Sequence, residues 1–522
     1  MAEPYYLTTA ISYPNGKPHI GHAYEAIAAD VIARFQRMNG RDVRLVTGTD
    51  EHGLKMAQTA RAAGRDTMEF ATEMSNYFRE MCEKLNISHD AFCRTTDARH
   101  HQASIALWEA MAASDDLYLD RYEGWYSVRD EAYYGDDEIT EGEGGVKLSP
   151  QGTPVEWTVE ESWFFRLSKY RDFLIELNET PGFIEPESRR NEVLAFLKGN
   201  DLRDLSVSRT SFDWGVPVPG SPGHVMYVWV DALTTYLTGI GFPDREGDFA
   251  RFWPVDVHLI GKDITRFHTV YWPAFLKSAG LPVPKKVFSH GFLLHRGEKM
   301  SKSLGNVVDP LELADHFGVD QLRYFLMREI AFGQDGSYSA EAIVTRCNAE
   351  LANSFGNLAQ RVLSMIYKNL EGVLSSGLES GEPDSALEST VRSNIGAMRT
   401  SFADLNFSSG LDDWMRAVFA CNQYVDEQAP WALKKSDPDR MGAVLMTLFR
   451  CVRDLAIAVR PVVPSSIDRL LDQMGIADDA RDFAALEDAE WFARLAGSGF
   501  TLSQPQGVFP RLEMPETAEE AG

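Results

Sequence analysis

The stretch "YYLTTAISYPNGKPHIGHAYEAIAAD", residues 5–30, decides the fold of the first part of the chain. Residues 5–12 are rich in aromatic and β-branched side chains and lead into a Pro-Asn-Gly group, which predicts a strand that ends in a tight turn. Apolar side chains then recur at helical spacing from Ile27 to Met38, and Asn39-Gly40 supplies residue types that end helices. The stretch therefore predicts a strand, a turn and a helix.

The segment "RDVRLVTGTDEHG", residues 41–53, predicts a second strand directly after this helix. Strand, helix and strand in this order open a doubly wound parallel sheet, whose ligands bind beyond the carboxyl ends of the strands. The His-x-Gly-His turn, residues 19–22, lies at such an end. We therefore predict an α/β, Rossmann-like sheet whose first strand-to-helix turn carries a ligand site.

The residue composition and spacing change twice in the rest of the chain. Short aromatic-rich segments and glycine turns predict an inserted α+β domain, and a long stretch of helical spacing later predicts an all-α bundle. The predicted units are the first half of the sheet domain at 1–117, the insertion at 118–218, the second half of the sheet domain at 219–290, a lysine-containing loop and connecting region at 291–345, the helical bundle at 346–515 and a disordered tail at 516–522.

Composition places the chain among multidomain globular proteins. Its 522 residues exceed the size at which one core stops growing, and 44% hydrophobic with 25% charged residues is ordinary for a soluble protein.

The sequence has neither a signal segment nor an apolar run of about 18 residues, so we expect a cytoplasmic protein with no membrane partner. The five cysteines form no CxxC pair, so we expect reduced, buried thiols and no thiolate-bound zinc.

The net charge of -26 counts against a nucleic-acid partner, because phosphate contacts require a basic surface. The acids, however, concentrate at residues 136–144 and in the tail, whereas residues 285–302 are basic and contain a single acid. A local basic site can therefore still bind phosphate.

Two stretches carry the chemistry. The chain lacks the dinucleotide and P-loop glycine motifs, but His19 and His22 project from a helix start, where unpaired N–H groups and the helix dipole attract anions. The second stretch, "KMSKSLGN" at residues 299–306, sets Lys299 and Lys302 in a Gly-flanked loop that can wrap a polyphosphate. Each has a plain alternative, a helix start with solvated histidines and a loop whose lysines serve solubility.

The order of these two stretches, one at the first strand-to-helix turn and the other after the last strand, resembles class I aminoacyl-tRNA synthetases. The resemblance implies that both stretches bind ATP and Mg²⁺, and that the catalytic residues are His19, His22, Lys299 and Lys302. It implies an ATP site formed by His19, Gly21, His22, Gly261, Asp263, Lys299, Ser301 and Lys302. An amino-acid carboxylate of pKa about 3.5 attacks the α-phosphorus without a general base, so positioning and positive charge suffice.

Several segments resemble the methionyl-tRNA synthetase family in particular, among them "TGTDEHG" (47–53), "YVWVDALTTY" (227–236) and "LIGKDITRFH" (259–268). The resemblance covers almost the whole chain and implies a methionine site formed by Ile11, Tyr13, Asp50, Trp229, Ala232, Tyr236, Phe267 and His268. Aromatic rings make favourable contacts with a thioether sulfur. The alternative for these rings, taken one by one, is ordinary core packing.

The helical part carries "GNLAQR" (356–361) and "NQYVDEQAPWALKKSD" (422–437), which resemble two anticodon-reading segments of the same family. The resemblance implies that Asn357 and Arg361 bond to base edges, that Trp431 stacks on an unpaired base, and that region 291–345 contacts the tRNA stem. The expected partners are L-methionine, ATP and tRNA(Met), elongator and initiator, and not DNA. The alternative for Trp431 is a core tryptophan.

One departure from the family concerns zinc. Ser127 stands where zinc-binding relatives have a cysteine, and "KLSPQGTPVEW" (147–157) resembles the later zinc knuckle without its thiolates. We therefore expect no zinc and an insertion held by apolar packing around Trp125, Tyr126 and Trp157. The chain ends soon after the bundle, without the C-terminal dimerisation domain of some relatives, so a monomer is expected.

The resemblance therefore implies methionine–tRNA ligase activity. One rival is a sister class I enzyme for another apolar amino acid, although a large editing insertion is lacking. A second is a noncatalytic tRNA-binding paralogue, and a third is a small nucleotidyltransferase, which would not need the helical last third.

Overall fold

Strands and helices alternate in the first part of the chain, and the computed structural model describes residues 2–129, 132–295, 298–299 and 308–514. The strands are β1 Pro4–Thr9, β2 Asp42–Thr49, β3 Ala91–Arg94, β4 Leu117–Ser127, β5 Ala132–Tyr134, β6 Thr140–Glu141, β7 Lys147–Leu148, β8 Glu156–Phe165, β9 Ile184–Glu185, β10 Leu205–Ser206, β11 Ser208–Arg209, β12 Val225–Met226, β13 Val257–Gly261, β14 Val287–His290, β15 Leu293–His295, β16 Glu298–Lys299 and β17 Gly336–Tyr338.

Helices dominate the second half of the chain, where the longest three have 22 residues each. They are α1 Ile20–Met38, α2 Leu54–Ala62, α3 Thr67–Lys84, α4 Ala98–Ala113, α5 Arg171–Glu179, α6 Glu187–Gly199, α7 Val228–Thr238, α8 Gly247–Phe252, α9 Trp272–Ser278, α10 Pro310–Phe317, α11 Val319–Glu329, α12 Ala340–Cys347, α13 Asn357–Asn369, α14 Glu382–Ala403, α15 Phe407–Gln428, α16 Pro430–Ser436, α17 Pro438–Val459, α18 Pro464–Gln473 and α19 Trp491–Gly497. Two π-helical segments, Phe267–Tyr271 and Asn348–Gly356, lead into α9 and α13.

The central sheet has six strands in the order β3-β2-β1-β13-β14-β9, and each pair within it is parallel. Both faces are buried, because Tyr5 and Leu7 of β1 pack into one core with α1 while Tyr6 packs into the other with α7. A parallel sheet covered on both faces is the predicted doubly wound arrangement, and the predicted fold class is confirmed.

Strand β1 lies in the middle of this sheet, with β2 on one side and β13 on the other. The chain therefore winds in opposite directions on the two sides of β1. In doubly wound sheets this reversal opens a crevice beyond the carboxyl ends of the strands. Helix α1 begins at that crevice, directly after the predicted turn.

The inserted segment forms a second, antiparallel sheet in the order β10-β8-β4-β5, built around the long β4–β8 pair. One short piece of it returns to the main sheet, since β9 pairs in parallel with β14 at the edge. The boundaries of the predicted insertion stay predictions, but its chain contributes to both sheets. Strand β15 starts a third sheet with β16 and β17.

The last part of the described chain is a helical bundle with Trp414 and Phe449 at its centre. Its core is continuous with the face of the main sheet that α1 covers. The five cysteines are buried and unpaired, as expected from their spacing. Within the described ranges, no helix has the length and apolar character needed to cross a membrane.

Candidate active site

A cavity of about 570 Å³ opens at the carboxyl ends of the central strands. Its lining draws on the ends of β1, β2 and β13, the start of α1 and the start of α7. Among the predicted site residues, those that line it are Ile11, Tyr13, His19, Gly21, His22, Asp50, Trp229, Gly261, Asp263 and Phe267. Residues more than 250 positions apart in sequence thus share one cavity.

The turn before α1 determines which ring nitrogen of His19 and His22 carries the proton. His19 caps the helix, and its Nδ1 accepts the Gly21 backbone N–H at 3.1 Å, while Nδ1 of His22 accepts the His19 N–H at 3.1 Å. Because Nδ1 is the acceptor in both rings, the ring proton lies on Nε2. The two rings stack with centroids 3.8 Å apart, so they form one unit with two N–H donors.

Glycine at position 21 leaves space for this stack. A Cβ there would lie 2.9 Å from Cε1 of His19, closer than real side chains approach. The imidazole of His19 occupies the side of Gly21 on which a side chain would stand. Gly21 therefore acts through the orientation of His19.

The opposite wall combines a bare strand end with a carboxylate. Gly261 ends β13, and a Cβ there would lie 2.8 Å from Oδ1 of Asp263. The carboxylate therefore folds back over the strand end, next to backbone that carries no side chain. An acceptor beside a side-chain-free backbone suits a hydroxylated ligand such as a ribose.

A buried charge pair completes this wall. His290 ends β14, and its Nε2 lies 2.7 Å from Oε2 of Glu25 while its Nδ1 lies 2.8 Å from the Gly291 carbonyl oxygen. Burial lowers the pKa of His290, but the hydrogen bond and charge of Glu25 outweigh it and raise the pKa above its ordinary value. Both ring nitrogens face acceptors, as in an imidazolium.

Asp50 is held at the cavity by its two neighbours in sequence. Glu51 is buried and accepts two hydrogen bonds from Arg94, at 2.7 and 2.8 Å. His52 binds Oδ2 of Asp231 at 2.6 Å, and His100 binds the other oxygen at 2.6 Å. Anchors on both sides therefore fix the loop that carries Asp50.

Asp231 ties this loop to α7, the helix that also carries Trp229. Although burial raises the pKa of Asp231, the charges and hydrogen bonds of His52 and His100 hold it below its ordinary range. The carboxylate is thus ionised and shared between two rings. It sets the distance between the Asp50 loop and the aromatic wall.

The aromatic wall has two layers. Trp229 and Phe267 stack face to face with centroids 3.8 Å apart and line the cavity. Ala232, Tyr236 and His268 are buried behind them and do not line it, although all three are predicted site residues. The structure therefore brings five of the eight predicted methionine-site residues to the cavity and places three in the layer that supports them.

The lysine-containing motif lies largely outside the described residues. The backbone of Lys299 pairs with Leu294 in the antiparallel β15–β16 ladder, which places the start of the motif after the last central strand. Ser301 and Lys302 lie outside the described ranges.

The comparisons with known proteins point to one family. The family model "tRNA synthetases class I (M)" matches residues 5–363, and the model "Anticodon binding domain of methionyl tRNA ligase" matches residues 374–521. The chain is 55% identical over 510 residues to the methionine–tRNA ligase of Brucella suis biovar 1 (strain 1330), with 98% of each chain covered. It is 53% identical over 524 residues to that of Mycobacterium tuberculosis (strain ATCC 25618 / H37Rv), with 99% of each covered.

A solved structure extends the likeness to the fold. The crystal structure of Mycobacterium tuberculosis methionyl-tRNA synthetase bound by methionyl-adenylate matches with a TM-score of 0.91 and 52% identity, covering 97% of this chain and 100% of that one. The chain belongs to the methionyl-tRNA synthetase family. The predicted class I aminoacyl-tRNA synthetase, with methionine–tRNA ligase function, is confirmed.

Within this methionyl-tRNA synthetase fold, the three residues predicted to read the anticodon lie on the bundle surface. Asn357 starts α13 and is exposed, Arg361 pairs with Asp426 at 3.3 Å one turn later, and Trp431 on α16 is 52% exposed. Lys434 bonds to Asn369 at 3.0 Å and so ties α16 to the end of α13. The exposed tryptophan is not a core residue, which removes the alternative reading of Trp431.

The inserted domain combines the expected apolar packing with buried hydroxyls. Trp125 packs against the buried Tyr134 and Val155 and meets Trp157 edge to face at 5.4 Å. Tyr126 is buried, whereas Trp157 is 50% exposed. A second buried contact, which the sequence did not predict, is made by hydroxyls, since Thr153 Oγ1 lies 2.7 Å from Oγ of both Ser127 and Ser149. Among the described residues, no cluster of three or more His, Cys, Asp or Glu side chains forms a metal site.

The cavity residues that sequence reasoning missed include four with polar or charged side chains, Glu25, His290, Arg129 and Gln151. A signal was present for the first two. Glu25 follows His22 by three positions on the same helix face, and His290 ends a parallel strand, where ligand-binding residues collect. Arg129 and Gln151 come from the insertion, and their approach to the cavity depends on tertiary structure.

The buried histidines behind the aromatic wall predict loss of stability in mild acid. Tyr236 donates to Nε2 of His268 at 2.7 Å, Nδ1 of His268 donates to Ile264 at 3.0 Å, and burial lowers the pKa of His268 to about 4. An unfolded histidine titrates near 6.5, so stability is complete above that pH and is lost as pH falls toward 4, by about 3 kcal/mol. Burial lowers the pKa of His258 as well.

Urea unfolding followed by tryptophan fluorescence at pH 7.5, 5.5 and 4.5 measures this loss. The variant His268→Gln lacks the imidazole, so we expect its unfolding midpoint to change less with pH than that of the unmodified protein. Equal pH dependence of the two proteins would show that His268 does not titrate in this window.

Proposed function

We propose that the cavity binds methionine and ATP side by side and joins them as methionyl-adenylate before methionyl passes to tRNA(Met). The observation that carries the proposal is that residues predicted from separate motifs line one cavity at the reversal point of the sheet. In the first step a methionine carboxylate oxygen bonds to the α-phosphorus, and pyrophosphate leaves with the electrons of the broken P–O bond. In the second, the 3′-terminal ribose hydroxyl of tRNA attacks the acyl carbon and AMP leaves.

The methionine subsite is assigned to the aromatic wall and the Asp50 loop. The stacked Trp229 and Phe267, with Ile11 and Tyr13 at the end of β1, offer a thioether apolar contact and sulfur–aromatic attraction of about 0.3–1.5 kcal/mol. Asp50 supplies the negative charge for the α-ammonium. The buried residues behind the wall, Ala232, Tyr236 and His268, act as its support and fix its shape.

The ATP subsite is assigned to the turn before α1 and to the end of β13. The Nε2–H groups of His19 and His22 are donors toward the phosphoryl oxygens, where negative charge grows in the transition state. Gly261 and Asp263 face the ribose. Lys299, Ser301 and Lys302 act on the β- and γ-phosphates from the loop after β15.

We assign Mg²⁺ to the substrate, bound to the phosphates of ATP. In proteins this ion keeps several waters and is held through phosphates and one or two carboxylates. The described part of the cavity fits this mode, because its carboxylates are separate and no three metal-ligating side chains cluster there. Asp263 is the exposed carboxylate at the ATP wall. We propose that the enzyme needs no zinc.

Recognition of tRNA(Met), both elongator and initiator, is assigned to Asn357, Arg361 and Trp431 on the bundle surface. An exposed tryptophan followed by two lysines, Lys434 and Lys435, offers a stacking face and phosphate contacts, and stacking is worth about 1–3 kcal/mol per base. The monomeric state and the cytoplasmic location remain part of the proposal. The finding that supports tRNA binding is the matched anticodon domain over residues 374–521.

Amino-acid-dependent ATP–pyrophosphate exchange tests the assignment of the pocket. With methionine, leucine, isoleucine and valine compared at equal concentration, we expect methionine to give the fastest exchange by at least about 100-fold. A faster rate with leucine would contradict the methionine subsite. Gel-shift binding of tRNA without any exchange would favour a noncatalytic paralogue.

A further inference from the structure

The two turns of the insertion that approach the cavity are joined by three buried hydroxyls, the hydroxyl clasp of Ser127, Ser149 and Thr153. Thr153 Oγ1 lies 2.7 Å from both serine oxygens. The backbone N–H groups of Gln151 and Thr153 also donate to Ser149 Oγ, at 3.2 and 3.3 Å. The clasp therefore fixes the end of β4 against the turn that precedes β8.

Two side chains of the insertion reach the cavity from this clasp. Arg129 stands two positions after Ser127, and Gln151 stands midway between Ser149 and Thr153. Both are exposed and both line the cavity. Because the clasp holds both turns, it also sets where these two side chains stand at the rim.

Arg129 pairs with no anionic side chain of the described residues. Among the contacts of the described residues, it makes no hydrogen bond, ion pair or ring contact. Arg121 on β4 differs, since its Nε lies 3.7 Å from Glu123. In a chain of net charge -26, a guanidinium that lines the cavity and pairs with no carboxylate of the described residues can bind a substrate anion.

The anions that enter this cavity are the phosphates of ATP and of the tRNA 3′ end. The ATP phosphates are assigned to the start of α1 and to the loop after β15, both on the catalytic body. Arg129 is exposed and belongs to the insertion, so it remains reachable at the rim once an adenylate fills the interior. This position favours the single-stranded tRNA end, whose phosphodiesters arrive last. Arginine binds such groups with two parallel hydrogen bonds.

We propose that Arg129, positioned by the hydroxyl clasp, binds a phosphodiester of the tRNA 3′ end and aligns it for methionyl transfer. The inference rests on the proposed function. Gln151 stands beside it as a neutral donor and acceptor for the same backbone. The clasp thus occupies the place of the family's zinc knuckle and supports a residue that acts in the second step.

The variant Arg129→Ala tests this role. We expect kcat/KM for tRNA in aminoacylation to fall about 10- to 100-fold, as for loss of a charge-assisted hydrogen bond, while methionine-dependent exchange changes less than about twofold. The dependence of log KM on log salt should lose about 0.7 in slope, the value for one phosphate contact on a single strand. Arg129→Lys should recover part of the loss. Arg121→Ala, on β4 of the same insertion and outside the cavity lining, is the matched control and should leave tRNA kinetics unchanged.

Each other outcome counts against the proposal. Equal loss of exchange and aminoacylation would assign Arg129 to ATP, and unchanged tRNA kinetics would remove it from substrate binding. If the unmodified enzyme gave no methionine-dependent exchange, the proposed function itself would fail, a result that does not depend on Arg129.

The clasp is tested by Thr153→Val, which removes the hydroxyl and keeps the shape. We expect the same selective loss of tRNA kinetics, with recovery in Thr153→Ser. The double variant with Arg129→Ala should be no worse than Arg129→Ala alone, because the clasp acts through Arg129. Multiplied losses would show that the clasp has a separate role.

Discussion

Replacement of His22 with alanine is expected to lower methionine-dependent ATP–pyrophosphate exchange by about 100- to 1,000-fold, the usual cost of removing one transition-state donor. The ring is fixed on three sides, by the His19 N–H at Nδ1, by the stacked His19 ring and by Phe78 edge to face at 5.0 Å. Because the Nε2–H group is already oriented by these contacts, it does not have to reorient as negative charge grows on the phosphoryl oxygens. Its removal therefore reduces kcat more than it raises KM for ATP.

The exposed His316→Ala serves as the control for this variant, since it lies on α10 outside the cavity lining. Its exchange rate should match that of the unmodified protein. Circular dichroism of both variants checks the helix that His19 caps. A His22→Ala enzyme with normal kcat, or one with a defect in KM alone, would refute the assignment of His22 to the transition state.

The main sheet and the turn before α1 could be predicted because their signals are local. A β-rich segment, a Pro-Asn-Gly turn and apolar spacing up to Met38 together specify β1 and α1, and α1 does end at Met38 with Asn39 as its cap. The segment 225–237 was harder, because a continuous apolar run suits a buried strand and a buried helix equally. In the structure it is a two-residue strand followed by α7.

The site residues also fall into two groups, those that local sequence signals identify and those whose position depends on tertiary packing. Residues next to motif glycines or strand ends, such as His22 and Asp50, could be placed at the cavity from sequence. Tyr236 and His268 could not be assigned to the second layer, because their depth depends on how α7 packs beside the segment Phe267–Tyr271. The hydroxyl clasp was missed because serine and threonine carry no strong sequence signal for burial.

A second large effect is expected in the core that joins α1 to the helical part. Arg323 and Asp30 are fully buried and bond at 2.6 Å, and Arg323 also donates to the carbonyls of Val462 and Pro461, at 2.9 and 3.0 Å. Although burial raises the pKa of Asp30, the charges of Arg323 and Arg34 hold it below its ordinary value. The pair links α1, the helix that begins at the cavity, to the turn between α17 and α18.

Arg323→Met is expected to lower the free energy of unfolding by about 3–5 kcal/mol, because it leaves a buried carboxylate with less compensation and several carbonyls without a donor. Urea unfolding followed by circular dichroism measures the change. The matched control is Arg416→Met, whose arginine is exposed and pairs with Asp413 on the same helix. Its loss should be below about 1 kcal/mol.

One member of this pair could be noticed in the sequence, because Asp30 is a charged residue among the apolar residues on the buried face of α1. Its partner lies 293 positions away and could not be identified by spacing. The double variant Asp30→Asn with Arg323→Met decides whether the two act as a pair: its loss should be smaller than the sum of the single losses by about 1–3 kcal/mol. Strictly additive losses would mean that Arg323 stabilises the junction through the carbonyls alone, and that the charge on α1 is balanced by Arg34.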